Sequence, residues 1–355
     1  MNSDMVGKRE RLAALLANER RPVSGDAERP ATPVPAAGQV AVSHPHAPFP
    51  LTRIQQSYLI GRSDEFVLGN VSTHNYFEIE LDRLDVHRFS AALNSLIARH
   101  EMMRAVFSDD GTQRILPEVP EYKVAFHDFL GVDPETGAGG MAAVRDRMSH
   151  QTLPFDRWPL FEVVVARHPD GRYRLHFSID MLIADAMSTM ILIRDLDALY
   201  ASPDTPLPAL TYSFRSYVES VSAVEGSPAY AQARAYWESR VADLPSAPEL
   251  PLATTPESIE HPRFVRREHM IDAERWERCQ KRVQAAGLTS SALLLALFSI
   301  VLARWAKSGH FCLNLTLLNR PPLHPQMGDV VGDFTSLIML ETQVDPGATL
   351  IENVR

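Results

Sequence analysis

The stretch FEVVVARHPDGRYRLHFSIDMLIADAMSTMILIRDLDALY, Phe161 to Tyr200, decides the fold. Its opening run FEVVVAR and the later run RYRLHFSI are rich in β-branched and aromatic side chains, and HPDG lies between them. Two such runs around Asp170-Gly171 predict an antiparallel hairpin, because aspartate and glycine tolerate the backbone angles of a tight turn. On the second strand Tyr173, Leu175, Phe177 and Ile179 face one way, and Arg174, His176, Ser178 and Asp180 the other. That alternation delivers Asp180 from the polar face at the strand end. A helix, MSTMILIRDLDALY, follows directly. The connection between strand and helix therefore carries two carboxylates, Asp180 and Asp185.

Upstream, Phe77, Ile79 and Leu81 alternate with Glu78 and Glu80 in HNYFEIEL, as a half-buried strand requires. In RFSAALNSLIAR, Phe89, Leu93, Leu96 and Ile97 recur at helical spacing. Downstream, proline-punctuated loops surround a helical piece near YAQARAYWESRV. A strand (RFVRREHMI, 263–271), the helix SSALLLALFSIVLARWAK and the strand FCLNLTLL complete the series. This mixed order predicts two α/β lobes: an N-terminal lobe over 49–215, a connection over 216–260 and a C-terminal lobe over 261–355. Before them, Leu12, Leu15 and Leu16 predict a short helix within residues 1–20, a candidate docking element. Residues 21–48, rich in Pro, Ala and Gly, read as a flexible linker.

A formal net charge of -9 gives no basic face for nucleic acid. The two cysteines, Cys279 and Cys312, are too few for a disulfide framework or a zinc cluster, and the histidines show no metal-ligand spacing. No secretory signal is legible at the N-terminus. The apolar run Ala292 to Ala303, interrupted by Ser299, is shorter than the roughly 20 residues a membrane span needs. A buried helix and a cytoplasmic setting fit these features.

Two carboxylates as close as Asp180 and Asp185 could form an acid/base pair with ionisation driven apart. Equally, each could accept an ion pair from arginine and brace the connection, since acidic residues near helix starts are common caps. His100 fits a packed histidine better than a catalytic one.

DMLIADAMS resembles the DxxxxDxxS signature of heterocyclization domains, a branch of the condensation domains of nonribosomal peptide synthetases, in which it replaces HHxxxDG. Five further segments are similar to motifs of that family, in order. They are FPLTRIQQSYLIGR (Phe49 to Arg62), RHEMMRAVFSDDGTQ (Arg99 to Gln113), LPSAPELPL (Leu244 to Leu252), TSSALLLALFSIVLARWAK with Leu302 and Trp305, and GDFTSL (Gly332 to Leu337). Ala186 departs from the pattern, standing where the family usually has glycine.

The resemblance implies a chloramphenicol-acetyltransferase-like α/β fold of two lobes with a tunnel between them. It also implies partners: upstream and downstream peptidyl carrier proteins, bearing substrates on phosphopantetheine arms, and other synthetase domains, with no cofactor bound directly. The implied reaction condenses an acyl thioester with carrier-bound Cys, Ser or Thr, then cyclodehydrates to a thiazoline or oxazoline. Met181 aligns with the second histidine of HHxxxDG, and a thioether cannot transfer a proton at neutral pH.

Asp180, Asp185, Thr335 and Asp333 are the candidate site residues. Asp185 is expected to be structural, paired with Arg320 or Arg62, and Asp180 to lie nearer the tunnel. Related domains run on past the position of Arg355, through a PVVFTS-like motif and an aspartate implicated in cyclodehydration. The second lobe is thus expected to be incomplete, with apolar surface exposed on FCLNLTLL and on the helix ending at Trp305. The alternatives are a non-catalytic carrier-binding remnant and a plain amide-forming condensation domain or acyltransferase.

Overall fold

A computed structural model describes residues 46–354; the expected helix within 1–20, and the expected linker up to residue 45, lie outside the described residues. In chain order the first half contains β1 (Phe49–Pro50), α1 (Arg53–Ile60), β2 (His74–Leu81), α2 (Val86–Arg99), β3 (Ala105–Phe107) and β4 (Thr112–Ile115). Then come β5 (Ala125–Asp128), α3 (Pro134–His150), β6 (Phe161–Arg167), β7 (Tyr173–Asp180) and α4 (Ala186–Ala201). The remainder holds α5 (Phe214–Val224), α6 (Pro228–Arg240), α7 (Ala273–Ala285), α8 (Ser290–Trp305), β8 (His310–Leu318), β9 (Thr335–Gln343) and α9 (Leu350–Val354).

The hairpin forms where Asp170-Gly171 predicts it, with Gly171 at φ +88°, a left-handed angle that glycine adopts without strain. Its strands are the middle of a sheet ordered β2-β7-β6-β5, antiparallel except that β5 runs parallel to β6. Phe77 lies opposite Phe177 and Ile79 opposite Leu175. Their face packs against Phe89, Leu93 and Leu96 of α2 and Ile191, Leu192 and Leu196 of α4. Each such side chain contributes about 1.5–3 kcal/mol by leaving water.

The other face of β7, expected to be polar, is not open to solvent. Helix α3 packs on it, with Val144 and Met148 against Tyr76 and Val164, so His176, Ser178 and Asp180 are all buried. A sheet covered on both faces places Asp180 in the interior.

The smaller sheet, β1-β4-β3, joins the chain entry to the second motif. Helix α1 opens with a reciprocal capping box, the Thr52 side chain accepting from Gln55 N and the Gln55 side chain accepting from Thr52 N.

Helix α5 falls at the head of the expected connection yet packs into the main core through Phe214, Tyr217 and Val218. The strand expected over 263–271 is absent: that segment has no regular structure. Its side chains are exposed; Arg266 donates to the Tyr76 carbonyl of β2 at 3.4 Å. Arg263 instead pairs with Asp146 of α3, and the Phe264 carbonyl lies 3.3 Å from the His150 ring nitrogen. Strands β8 and β9 form a separate antiparallel pair. Leu294, Leu297, Phe298, Val301 and Trp305 are exposed along one stripe of α8, and Leu317, Leu318, Leu337 and Ile338 on the β8–β9 pair. The apolar exposure expected there is present. Among the described residues no single helix is long and apolar enough to cross a membrane.

Candidate active site

Asp180 ends β7 with its side chain 1% exposed. Its Oδ2 accepts from Ser72 Oγ at 2.8 Å and pairs with Arg62, and its Oδ1 accepts from Leu182 N at 3.0 Å. Arg62 also donates to the Leu153 carbonyl at 2.7 Å and to Ser72 Oγ at 3.0 Å. A buried charge needs such partners, because each ion loses several kcal/mol of hydration on burial.

Asp185 is the N-cap of α4 and is fully buried. Its Oδ1 accepts from Ser188 N at 2.6 Å and from Arg320 at 3.1 Å; its Oδ2 accepts from Phe334 N at 3.2 Å. Its own N–H donates to the Gly332 carbonyl at 3.1 Å. Ser188 completes the lock. Its hydroxyl donates to Gly332 O at 2.7 Å and accepts from Gly332 N at 3.0 Å and Arg320 at 2.7 Å. The DxxxxDxxS and GDFTSL segments are thus two halves of one junction. Gly332 is required there: a Cβ would stand 2.1 Å from the Phe214 ring. Ala186 is compatible with its place as the first residue of α4, being absent from the non-glycine residues with positive φ.

The first two motifs meet beside this junction. Gln55 is fully buried and donates to the Leu182 carbonyl at 2.7 Å. Its amide also exchanges hydrogen bonds with Gln113, at 3.1 and 2.8 Å. His100 lies elsewhere, its Nε2 3.0 Å from Asp195, with burial lowering its pKa; it is a packed histidine, as expected.

Asp333 and Thr335 sit where β9 begins. Asp333 is fully buried, and its one hydrogen bond is from Thr335 N to Oδ1, 3.1 Å. Its Oδ2 and the Thr335 hydroxyl are buried without a hydrogen-bond partner. Burial pushes the Asp333 carboxyl up to about 7, opposed by Thr335 and reinforced by the nearby Asp185 charge. Tyr58 of α1 and Tyr217 of α5 face the same carboxyl, each phenol pushed up to about 12, burial again coming first.

Asp180 and Asp185 are each tied to a separate arginine. Asp185 pairs with Arg320, one of its two expected partners, and Arg62 belongs to Asp180 instead. Asp185, Asp333 and Thr335 come together, whereas Asp180 forms a separate cluster. Tyr58 feels the charges of all three aspartates. Ser72, Tyr58 and Tyr217 were not singled out from sequence. Tyr58 lies inside the first motif, which could have drawn attention to it; Ser72 carries no local signal. Among the described residues no group of three or more His, Cys, Asp or Glu could hold a metal ion.

An α/β scaffold of chloramphenicol-acetyltransferase-like type, with a polar junction between the DxxxxDxxS and GDFTSL segments, defines the class. Residues 49–355 match the condensation domain family, and the chain belongs to it.

The chain is similar to the EpoB cyclization-docking bidomain of a nonribosomal peptide synthetase from Sorangium cellulosum, with TM-score 0.83 and 34% identity, covering 100% of this chain and 70% of that one. It is 38% identical over 322 residues to the phenyloxazoline synthase MbtB of Mycobacterium tuberculosis, covering 90% of this chain and 22% of that protein. Against the pyochelin synthetase PchF of Pseudomonas aeruginosa it is 34% identical over 311 residues, 87% of this chain and 17% of that protein. The chain thus spans about a fifth of these two curated relatives.

Proposed function

We propose that this chain is a heterocyclization domain. It joins a carrier-bound acyl thioester to the amine of carrier-bound Cys, Ser or Thr. It then closes the side-chain thiol or hydroxyl onto the new amide carbonyl with loss of water. The observation that carries this reading is the state of the DxxxxDxxS segment. Both aspartates are sealed against arginines, and Met181 stands where amide-forming relatives have histidine. The segment contains no side chain suited to shuttle a proton as histidine does. Amide formation from a thioester relies mainly on orientation, worth several kcal/mol when two reactants are held together. The names of the relatives, a cyclization domain and a phenyloxazoline synthase, support ring formation.

Peptidyl carrier proteins are the implied partners, and their phosphopantetheine arms bring the substrates. In this reading Asp180 and Asp185 hold the scaffold, while Thr335 and Asp333 stand closer to the chemistry. Incubating the chain with acyl- and cysteinyl-loaded carriers, then weighing the released products, tests it. Ring formation appears as the linear amide minus one water. A product that stops at the amide, or carriers that bind and never react, would refute the proposal.

A further inference from the structure

Consecutive large apolar residues left in solvent are a fault in a folded chain unless something covers them in use. The loop between α1 and β2 carries such a run. Phe66, Val67 and Leu68 are 53%, 56% and 37% exposed, and Ile60 at the end of α1 is exposed too. Asp64 and Glu65, just before the run, are exposed and have no ion pair among the described residues.

The loop is not slack. Val71 N donates to the Gly61 carbonyl at 3.4 Å and Asn70 N to the Ser63 carbonyl at 3.1 Å, closing its neck, and Gly69 N donates to the Phe66 carbonyl at 2.8 Å, closing its tip. Leu68 and Asn70 both stand at φ +59°, the two non-glycine residues with positive φ among the described residues. Leucine enters that region only against a steric penalty, so the surrounding contacts must over-determine the shape. Gly69, between them, has no room for a side chain: a Cβ would stand 2.1 Å from the Ser63 carbonyl oxygen. Below the neck, Asp180 Oδ2 holds both ends at once, pairing with Arg62 on one side and accepting from Ser72 Oγ at 2.8 Å on the other. Arg62 donates to Ser72 Oγ at 3.0 Å, and Met181 N donates to the Thr73 carbonyl at 2.9 Å. A compact loop with joined ends is an Ω-loop, a form frequently used for recognition.

We propose that the loop over 61–71 is a preformed docking finger for a carrier protein, stapled to the DxxxxDxxS segment by Asp180, and that it takes an apolar helix face edged by lysine or arginine. The proposal rests on the reading of the chain as a domain that works on carrier-bound thioesters. Charge selects the chemistry of the partner. The free carboxylates of Asp64 and Glu65 attract a basic edge and repel an acidic face, a nucleic acid or an anionic lipid surface. Position selects the carrier: the base of the loop is bonded to the first signature aspartate, so a protein seated on the tip is held beside the segment that carries the family signature. Rigidity accounts for the staple, because a tip already in its bound shape loses little freedom on association. In this role Asp180 is a positioning residue that acts through Arg62 and Ser72.

The experiment measures binding of an acyl-loaded and of a cysteinyl-loaded carrier to the full chain by fluorescence anisotropy. The unfolding midpoint and light-scattering mass of each variant are recorded beside it. Phe66→Ser with Val67→Ser should weaken one of the two carriers by about tenfold or more and leave the midpoint unchanged, as loss of apolar anchors requires. Asp64→Lys with Glu65→Lys should weaken the same carrier at low salt, with the difference shrinking as salt rises. Gly69→Ala keeps every tip side chain but shifts the loop, so it should weaken that carrier several-fold; binding equal to the parent would overturn the preformed shape. Tip variants that bind both carriers as tightly as the parent overturn the finger, as does a parent chain that binds neither. A charge reversal that tightens binding overturns the basic edge. A tip variant that lowers the light-scattering mass and still binds carriers like the parent overturns the proposal in favour of a second copy of the chain. A parent chain that binds a carrier through the tip yet releases only linear amide refutes the ring-forming reading and supports the finger.

Discussion

Replacing Arg62 by methionine tests whether the Asp180 cluster is structural scaffold. The arginine is 5% exposed and the aspartate 1%, so neither is screened by bulk water. Methionine fills much of the space of the arginine stem while removing its contacts to Asp180, Ser72 and the Leu153 carbonyl. The Asp180 carboxylate then keeps only the Ser72 hydroxyl and the Leu182 N–H. Stranding a buried ion in this way costs about 3–5 kcal/mol. A typical domain is stable by about 5–15 kcal/mol, so the variant should lose a large share of its stability.

The assay is urea unfolding followed by intrinsic fluorescence, with the midpoint and slope fitted for each variant. Arg53→Met is the control. Arg53 pairs with Glu225, but both side chains are largely exposed, at 78% and 51%. Its loss should cost no more than about 1 kcal/mol. The double variant Arg62→Met with Asp180→Leu should be more stable than Arg62→Met alone, because no charge is then left unpaired in the interior. A loss below about 1 kcal/mol for Arg62→Met, or a double variant whose effects merely add, would refute the reasoning.

Gly332→Ala would push a Cβ into the Phe214 ring, and overpacking of this kind should cost about 1–3 kcal/mol in the same unfolding assay, with partial rescue by Phe214→Leu. Asp333 has its folded-state pKa raised from 3.8 to about 7, mainly by burial. The stability it contributes is therefore full below the unfolded value and lost as pH rises through about 7. Asp333→Asn removes that dependence, so the variant should gain on the parent by up to a few kcal/mol near about pH 8 and by little near about pH 4; parallel stability–pH curves would count against it. The exposed stripe of α8 should drive self-association, so Leu297→Glu with Phe298→Glu should shift light-scattering mass toward the monomer.

The hairpin around Gly171 was legible because its signal is local, and residue type narrowed the partner of Asp185 to Arg320 or Arg62; that the DxxxxDxxS and GDFTSL segments meet was not foreseen. The segment 263–271 was misread for a physical reason. RFVRREHMI sets the apolar pairs Phe264-Val265 and Met270-Ile271 around four polar residues with no strict alternation, and Arg263 and Phe264 lie along α3. The buried polar face of β7 was hidden because α3, which covers it, is glycine-rich and only weakly patterned as a helix. Ser72 was invisible, since its role comes from contact with Asp180, 108 positions away.

The division of labour in the site follows from which polar atoms the fold satisfies. Asp180 and Asp185 each accept several hydrogen bonds, including one from an arginine, and a carboxylate so held gives up its position only at high cost. Such groups fix geometry. Asp333 and Thr335 are buried just as deeply, yet each keeps a side-chain oxygen with no protein partner. Their cost is offset by the lock that Asp185, Ser188 and Arg320 place on the adjoining Gly332 and Phe334. Of the two signature aspartates, Asp185 is thus the one that fixes the GDFTSL segment around the buried Asp333 carboxyl. Loosening that lock, as in Arg320→Met, should allow Asp333 to relax toward solvent and lower its pKa even though a cation has been removed from its surroundings. A purely electrostatic coupling would raise it. The direction of that shift, read by infrared titration, separates a mechanical link between the two motifs from a charge effect.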